Sequence, residues 1–297
     1  MVILLSGATG FIGRVLRQRL LENNHKIYAL VRKEKSDIDS GIEQVTIDRL
    51  NSIDVEFDVF INLAGENIAA KPWTKKRKQV LYSSRVDLTE EIRKNLKHPP
   101  KRVISMSAIG FYGTTSTGIY DENTTPTPSF THDLCKAWEN AALQFSSTAT
   151  SVVIFRLGVV LGLGGALDKM RLPFKLGLGG PIAGGKQWLS WIHIDDVLKA
   201  IMEAMTDSSY NGIYNLVAPQ FTDQKSFALN YGQSLKRPAF IPTPKWLMTL
   251  LLGEMASLLT EGAKITPYRL EQKGFKFEFS HLDKALKDIE EKYQASS

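Results

Sequence analysis

The chain has 297 residues, 43% hydrophobic and 23% charged, with a formal charge of +6. That length holds one large domain, or a large domain with a smaller lobe, and the composition is that of a folded globular protein. One cysteine, Cys135, excludes an intramolecular disulfide and a cysteine-rich zinc site, and fits a reducing compartment.

In chain order, "VILLS" (Val2–Ser6) reads as a strand that begins at once. No basic leader or cleavable apolar stretch stands before it, so a cytoplasmic protein is expected. "SGATGFIG" (Ser6–Gly13) links this strand to a helix over Phe11–Asn23. Glycines at 7, 10 and 13 permit a tight turn, close approach of the backbone to a pyrophosphate, and close helix–sheet packing. The helix start adds unsatisfied N–H groups and the positive end of its dipole. Gly7, Thr9, Gly10, Phe11, Ile12 and Gly13 are therefore candidate dinucleotide-binding residues.

A second strand, Lys26–Val31, runs into "YALVRKEK". NAD-selective sites place a carboxylate at this strand end to bind the ribose 2′-hydroxyl. Here Val31 occupies that place, Arg32 and Lys33 follow, and Lys35 is close by. Such cations suit a 2′-phosphate, so NADP(H) is the expected cofactor, with Arg32 and Lys33 at its phosphorylated ribose.

Further strands are expected at Gln44–Ile47, Val59–Leu63, Arg102–Ser105 and Ser151–Arg156, with helices over Lys75–Leu96 and Phe130–Ser146. The strands are continuous apolar runs such as "VFINLA", the pattern of strands covered on both faces. Alternation with helices predicts an α/β fold: a Rossmann-like, doubly wound parallel sheet. The densest basic run, "TKKRKQ" (Thr74–Gln79), reads as a solvated helix face; no nucleic-acid motif accompanies it, and no nucleic-acid partner is expected.

Beyond Gly158 the glycine-rich stretch to about residue 190 is too irregular for a regular element and too apolar for a linker. It is expected to wrap over a ligand cleft. From residue 221 prolines cluster and the elements shorten. The expected division is therefore residues 1–220, a cofactor-binding domain with 160–190 as its cleft-wrapping segment, and 221–297, a smaller α/β substrate lobe. "WLMTLLLGEMASLL" (Trp246–Leu259) is shorter than a membrane span and contains Glu254, so it reads as a buried or amphipathic helix and no membrane partner is expected.

"NLAG" (Asn62–Gly65), Asp48 at the third strand, "SMSAIGFYG" (Ser105–Gly113) and "WIHIDDV" (Trp191–Val197) resemble the extended short-chain dehydrogenase/reductase superfamily of NAD(P)-dependent epimerases and dehydratases. The likeness is closer to the small epimerase-family proteins of the bacterial YfcH type, which carry a C-terminal domain of the DUF1731 type. "NLAGENIAAKPWTKKRKQVLYSSRV", "LGLGGPIAGGKQWLSWIHIDD" and "GEMASLLTEGAKITPYRLEQKGFKFEFSHLDKAL" carry it over nearly the whole chain. The resemblance implies cofactor contacts at Asp48, Leu63, Ala64, Gly65, Arg85 and Val160.

It also implies a catalytic set. In that superfamily a tyrosine exchanges a proton with the substrate, a lysine four residues later supports it and binds the nicotinamide ribose, and a serine polarises the reacting oxygen. Here Ser107 takes the serine place and Lys136 the lysine place, but His132 stands where the tyrosine belongs. Histidine exchanges protons near neutrality, and the i, i+4 spacing puts it on one helix face with Lys136. Tyr112 and a bound water are the alternative proton carriers.

His193 reads as structural or as a cleft-wall donor, and Asp195 and Asp196 as helix caps. Glu66 and Asn67 either reach the ligands or shape a turn, and Cys135 is a packing thiol. No HExxH, CxxC or carboxylate cluster calls for a metal.

Two functions follow. One is an NADP-dependent oxidoreductase or epimerase, monomeric or homodimeric, acting on a small carbonyl, polyol or nucleotide-sugar substrate. The other is an NADP(H)-binding sensor or regulatory protein with little or no turnover.

Overall fold

The computed structural model describes residues 1–34, 37–113 and 117–295; Lys35 lies outside them. In chain order the strands are β1 (Val2–Ser6), β2 (Lys26–Leu30), β3 (Ile42–Val45), β4 (Val59–Asn62), β5 (Arg102–Ala108), β6 (Ile119–Tyr120), β7 (Ser151–Leu157), β8 (Val159–Leu161), β9 (Trp191–His193), β10 (Gly212–Leu216) and β11 (Lys264–Ile265). The helices are α1 (Phe11–Glu22), α2 (Ile47–Leu50), α3 (Lys75–Ser83), α4 (Val86–Asn95), α5 (Phe130–Leu143), α6 (Ala166–Lys175), α7 (Ile194–Thr206), α8 (Gln224–Ser234), α9 (Lys245–Leu252), α10 (Ser257–Thr260), α11 (Tyr268–Gln272) and α12 (Leu282–Ala295).

Seven strands form one parallel sheet in the order β10-β7-β5-β4-β1-β2-β3, the doubly wound α/β architecture. Alternate residues feed two buried layers. Ile3, Leu5, Ile104 and Met106 pack with Leu16 of α1 and Ile201 of α7, while Leu4, Phe60 and Val103 pack with Ile92 of α4 and Ala142 of α5. This two-sided burial is why the strands read as unbroken apolar runs. The winding reverses between β1 and β4, so a crevice opens at the carboxyl ends of the central strands.

Several expectations shift locally. β3 begins at Ile42 and ends at Val45, so Asp48 lies in α2 rather than closing the strand. The single helix expected over Lys75–Leu96 is two, broken at Ser84–Arg85. The break turns both side chains to the β4 turn: Ser84 Oγ accepts from Glu66 N at 3.1 Å, and Arg85 donates to Glu66 O at 2.9 Å. Within the stretch expected to be irregular lies α6, which accommodates Pro173.

One hydrophobic cluster joins residues from both sides of position 220. Leu161, Leu167, Phe174 and Trp191 share a core with Phe227, Tyr231, Leu286 and Ile289 of α8 and α12. Arg171 of α6 pairs with buried Glu290 of α12 at 2.8 Å. No described helix is long and apolar enough to cross a membrane.

Candidate functional site

The crevice is a cleft of about 630 Å³ at the ends of β1, β2 and β4. Gly7, Thr9 and Gly10 line one wall, Arg32 and Asp48 stand at the β2–β3 side, and Leu63, Ala64, Gly65 and Glu66 form the opposite wall with α4. Gly7 has φ +72°, and a Cβ there would meet Leu63 O at 2.6 Å. A Cβ at Gly13 would meet Gly7 O at 2.2 Å, so α1 packs on the loop at a distance only glycine allows. Gly10 caps α1 without a side-chain hydrogen bond, which leaves the first N–H groups of the helix open for an anion. This cradle fits a dinucleotide pyrophosphate.

Arg32 is 93% exposed at the cleft mouth, its Nη1 3.7 Å from Glu66 Oε1; Lys33 beside it is exposed. Glu66 also pairs with Arg77 at 3.3 Å, so one carboxylate bridges two guanidinium groups. Asn67 shapes a turn, accepting from Ala69 N at 2.9 Å. Arg85 is not in the cleft wall but behind it. Its guanidinium lies against Gly65, stacks over Trp138 at 5.2 Å and holds the Glu66 carbonyl.

Phe11 lies at the start of α1, where a side chain at Gly162 or Gly165 would strike its ring. Ile12 and Val160 pack half-buried against the main core, outside the walls of the cleft.

The candidate catalytic residues separate into two environments. Ser129 Oγ accepts from His132 N at 3.0 Å and caps α5. His132 Nδ1 lies 2.7 Å from Phe111 O. A carbonyl oxygen only accepts, so Nδ1 carries the proton, and Nε2 of the neutral ring holds a lone pair with no protein partner among the described residues. Lys136, one turn on, is exposed.

Ser107 and Tyr112 are different. Ser107 is buried, and its hydroxyl donates to Glu139 Oε1 at 2.7 Å. Its single proton is thus given to a carboxylate inside the core rather than offered to the cleft. Glu139 in turn pairs with Arg156 through both carboxylate oxygens, each at 2.8 Å. Arg156 donates to Tyr112 Oη at 3.0 Å, and Tyr112 donates to Asn215 Oδ1 at 2.7 Å. Tyr112 is fully buried, and burial pushes its hydroxyl up to about 12. Its hydroxyl is held inside the core between Arg156 and Asn215.

This network was missed, although Arg156 gave a signal: a charged residue inside the buried strand "SVVIFRL" requires a buried partner. Cys135 is a buried free thiol raised to about 11 by burial, a packing residue as expected.

His193, Asp195 and Asp288 bring ligand atoms within 4.8 Å of one another. Lys292 Nζ fills the group, 2.8 Å from both carboxylates. His193 Nδ1 accepts from Asp195 N at 3.2 Å, so the histidine, not Asp195 or Asp196, caps α7. Asp196 instead accepts from Glu278 N and Phe279 N at 2.7 and 3.0 Å, tying down the chain before α12.

Comparison with known proteins agrees with this geometry. Residues 3–216 match the model of the NAD dependent epimerase/dehydratase family, and residues 243–289 match a domain of unknown function, DUF1731. The chain is 34% identical over 297 residues to the epimerase family protein YfhF of Bacillus subtilis, covering 97% of this chain and 98% of that one. It is 34% identical over 303 residues to the chloroplastic epimerase family protein SDR39U1 homolog of Arabidopsis thaliana, covering 97% and 86%. The crystal structure of human epimerase family protein SDR39U1 with NADPH superposes with a TM-score of 0.91 at 35% identity, over 98% of this chain and 99% of that one. With a cradle for a dinucleotide at its sheet switch point, the chain belongs to the NAD-dependent epimerase/dehydratase family.

Proposed function

We propose that the protein is an NADP(H)-dependent oxidoreductase or epimerase of the extended short-chain type. Its substrate is a small carbonyl, polyol or nucleotide-linked sugar. The observation that carries this reading is the cleft, with Gly7–Gly10 at the start of α1, Val31 in place of a carboxylate after β2, and Arg32 following it at the mouth. A relative of similar fold with NADPH supports it.

The dinucleotide, when bound, supplies or accepts a hydride. The N–H groups at Gly7–Gly10 hold its pyrophosphate, Arg32 and Lys33 its 2′-phosphate, Asp48 its adenine, and Leu63–Gly65, with Arg85 behind, the adenosine wall. His132 Nε2 takes the proton of a substrate hydroxyl in the oxidising direction and returns it in the other. Lys136, on the same face of α5, binds the nicotinamide ribose. Ser107 acts only through Glu139, as a positioning residue.

Titration calorimetry with NADPH and NADH, followed by a screen of carbonyls, polyols and nucleotide sugars for NADPH oxidation, tests the reading. Tight NADPH binding and His132-dependent turnover are expected. Tight binding with no turnover of any class would leave the second reading, a cofactor-binding sensor. That alternative has one observation in its favour: the proton of Ser107 is spoken for by Glu139.

A further inference from the structure

The stretch "KWLMTLLL" forms α9, and not one of its residues is buried. Trp246 is 67% exposed and Leu250 75%, one turn apart on the same side. A helix apolar on nearly all sides normally belongs inside a protein. Its neighbours extend the surface. The chain at 177–183 runs beside 238–243, with Ile241 N donating to Gly179 O at 3.2 Å and Thr243 N to Pro181 O at 2.8 Å. This brings Leu176 and Leu178 next to Phe240, which is 72% exposed. Phe240 and Trp246 alone leave about 300 Å² in water, taking about 200 Å² for a whole aromatic side chain, and the leucines carry the patch past what soluble monomers ordinarily expose.

The charge of this face is one-sided. From Lys169 to Ile194, and again from Gln224 to Gly253, the sequence contains no aspartate or glutamate. Lys175, Lys236 and Arg237 are exposed there and take part in no ion pair among the described residues. Asp168, in the first turn of α6, is the one carboxylate on these elements; of those bordering α9, Glu254 is neutralised by Lys78 at 2.6 Å and Glu261 by Lys245 at 3.1 Å.

We propose that this face, formed by α6, the 176–183 and 238–243 segments and α9, docks the protein on an anionic lipid surface. Leucines, a phenylalanine and a tryptophan enter the boundary between headgroups and acyl chains, and the surrounding cations meet the anionic headgroups. A second copy of the chain is the poorer fit. A two-fold contact sets the same patch against itself, and neither 169–194 nor 224–253 holds an aspartate or glutamate to pair with its cations. The attachment is peripheral and needs no spanning helix; no described helix is long and apolar enough to cross a membrane.

Co-sedimentation with vesicles tests the proposal. The protein is expected to bind vesicles of phosphatidylcholine mixed with phosphatidylglycerol, to ignore vesicles of phosphatidylcholine alone, and to be released by salt. Lys175→Gln combined with Arg237→Gln lowers partitioning about twenty-fivefold, roughly fivefold for each charge. Trp246→Ser combined with Leu250→Ser lowers it more than tenfold, with NADPH affinity and melting temperature unchanged because neither side chain is buried. Failure to bind the mixed vesicles at low salt overturns the proposal, as does undiminished binding by both variants. Light scattering that shows a dimer dissolved by the Trp246 and Leu250 changes would make the second copy the occupant and overturn it equally.

Discussion

Arg32 is held at the cleft mouth by Glu66, at 3.7 Å and almost wholly in water. An ion pair that exposed contributes little to folding, so the side chain is free to turn to a better anion. Arg32→Ala is expected to weaken NADPH binding about tenfold or more, the loss of one charge-assisted contact to a phosphate, while NADH binding and the melting temperature stay where they are. Equal loss for both dinucleotides in calorimetry would place the 2′-phosphate elsewhere. His132→Asn asks the complementary question of the proton. The asparagine amide can still donate to Phe111 O, but the ring nitrogen without a partner is gone. Under the enzyme reading kcat falls about 10²- to 10⁴-fold at unchanged NADPH affinity; unchanged kcat would remove His132 from the chemistry.

At the scale of elements, β1, its loop and α1 act as one unit, because Gly13 sits directly on the Gly7 carbonyl. Gly13→Ala is expected to lower stability by about 1–3 kcal/mol through overpacking and to weaken NADPH binding with it, as the displaced loop re-aims the N–H groups of Gly7–Gly10. Urea unfolding and calorimetry on the same sample check both, and loss of stability with intact binding would uncouple loop from helix. This unit was legible in the sequence since its constraints are local: an apolar run, three glycines at fixed spacing, an amphipathic helix. α6 was not, because Pro173 and flanking glycines break the pattern on which a helix is recognised. The composition of the α9 stretch fits a buried or an amphipathic helix and cannot choose between them; composition records what a segment prefers to touch, not whether the chain provides it.

At the scale of the whole molecule, legibility ends where partners are distant in sequence. Ser107 and Tyr112 looked like site residues because they flank a recognisable strand end, yet both are claimed by Glu139, Arg156 and Asn215 from α5, β7 and β10. The joint between the main sheet and α12 is of the same kind. His193 is fully buried at the start of α7, with Nδ1 accepting the Asp195 N–H and Nε2 3.1 Å from Asp288 Oδ2 on α12.

Burial is the main cause that pushes His193 down, to about 4. The carboxylates of Asp195 and Asp288 pull the other way, and Lys292 works with the burial. In the unfolded chain the imidazole returns to its ordinary value near 6.5. Below that pH the unfolded state takes up a proton that the folded state refuses, so stability is full above pH 6.5 and falls as the medium is acidified. The slope approaches about 1.4 kcal/mol per pH unit and levels off near pH 4, for a loss on the order of 3 kcal/mol. His193→Asn keeps a side-chain oxygen to cap α7 but cannot titrate. Unfolding free energies measured by urea between pH 4 and 7.5 should therefore fall more steeply in the natural protein than in this variant. Parallel curves would mean that the charged form of His193 is tolerated in the fold, and that acid instability arises at other groups.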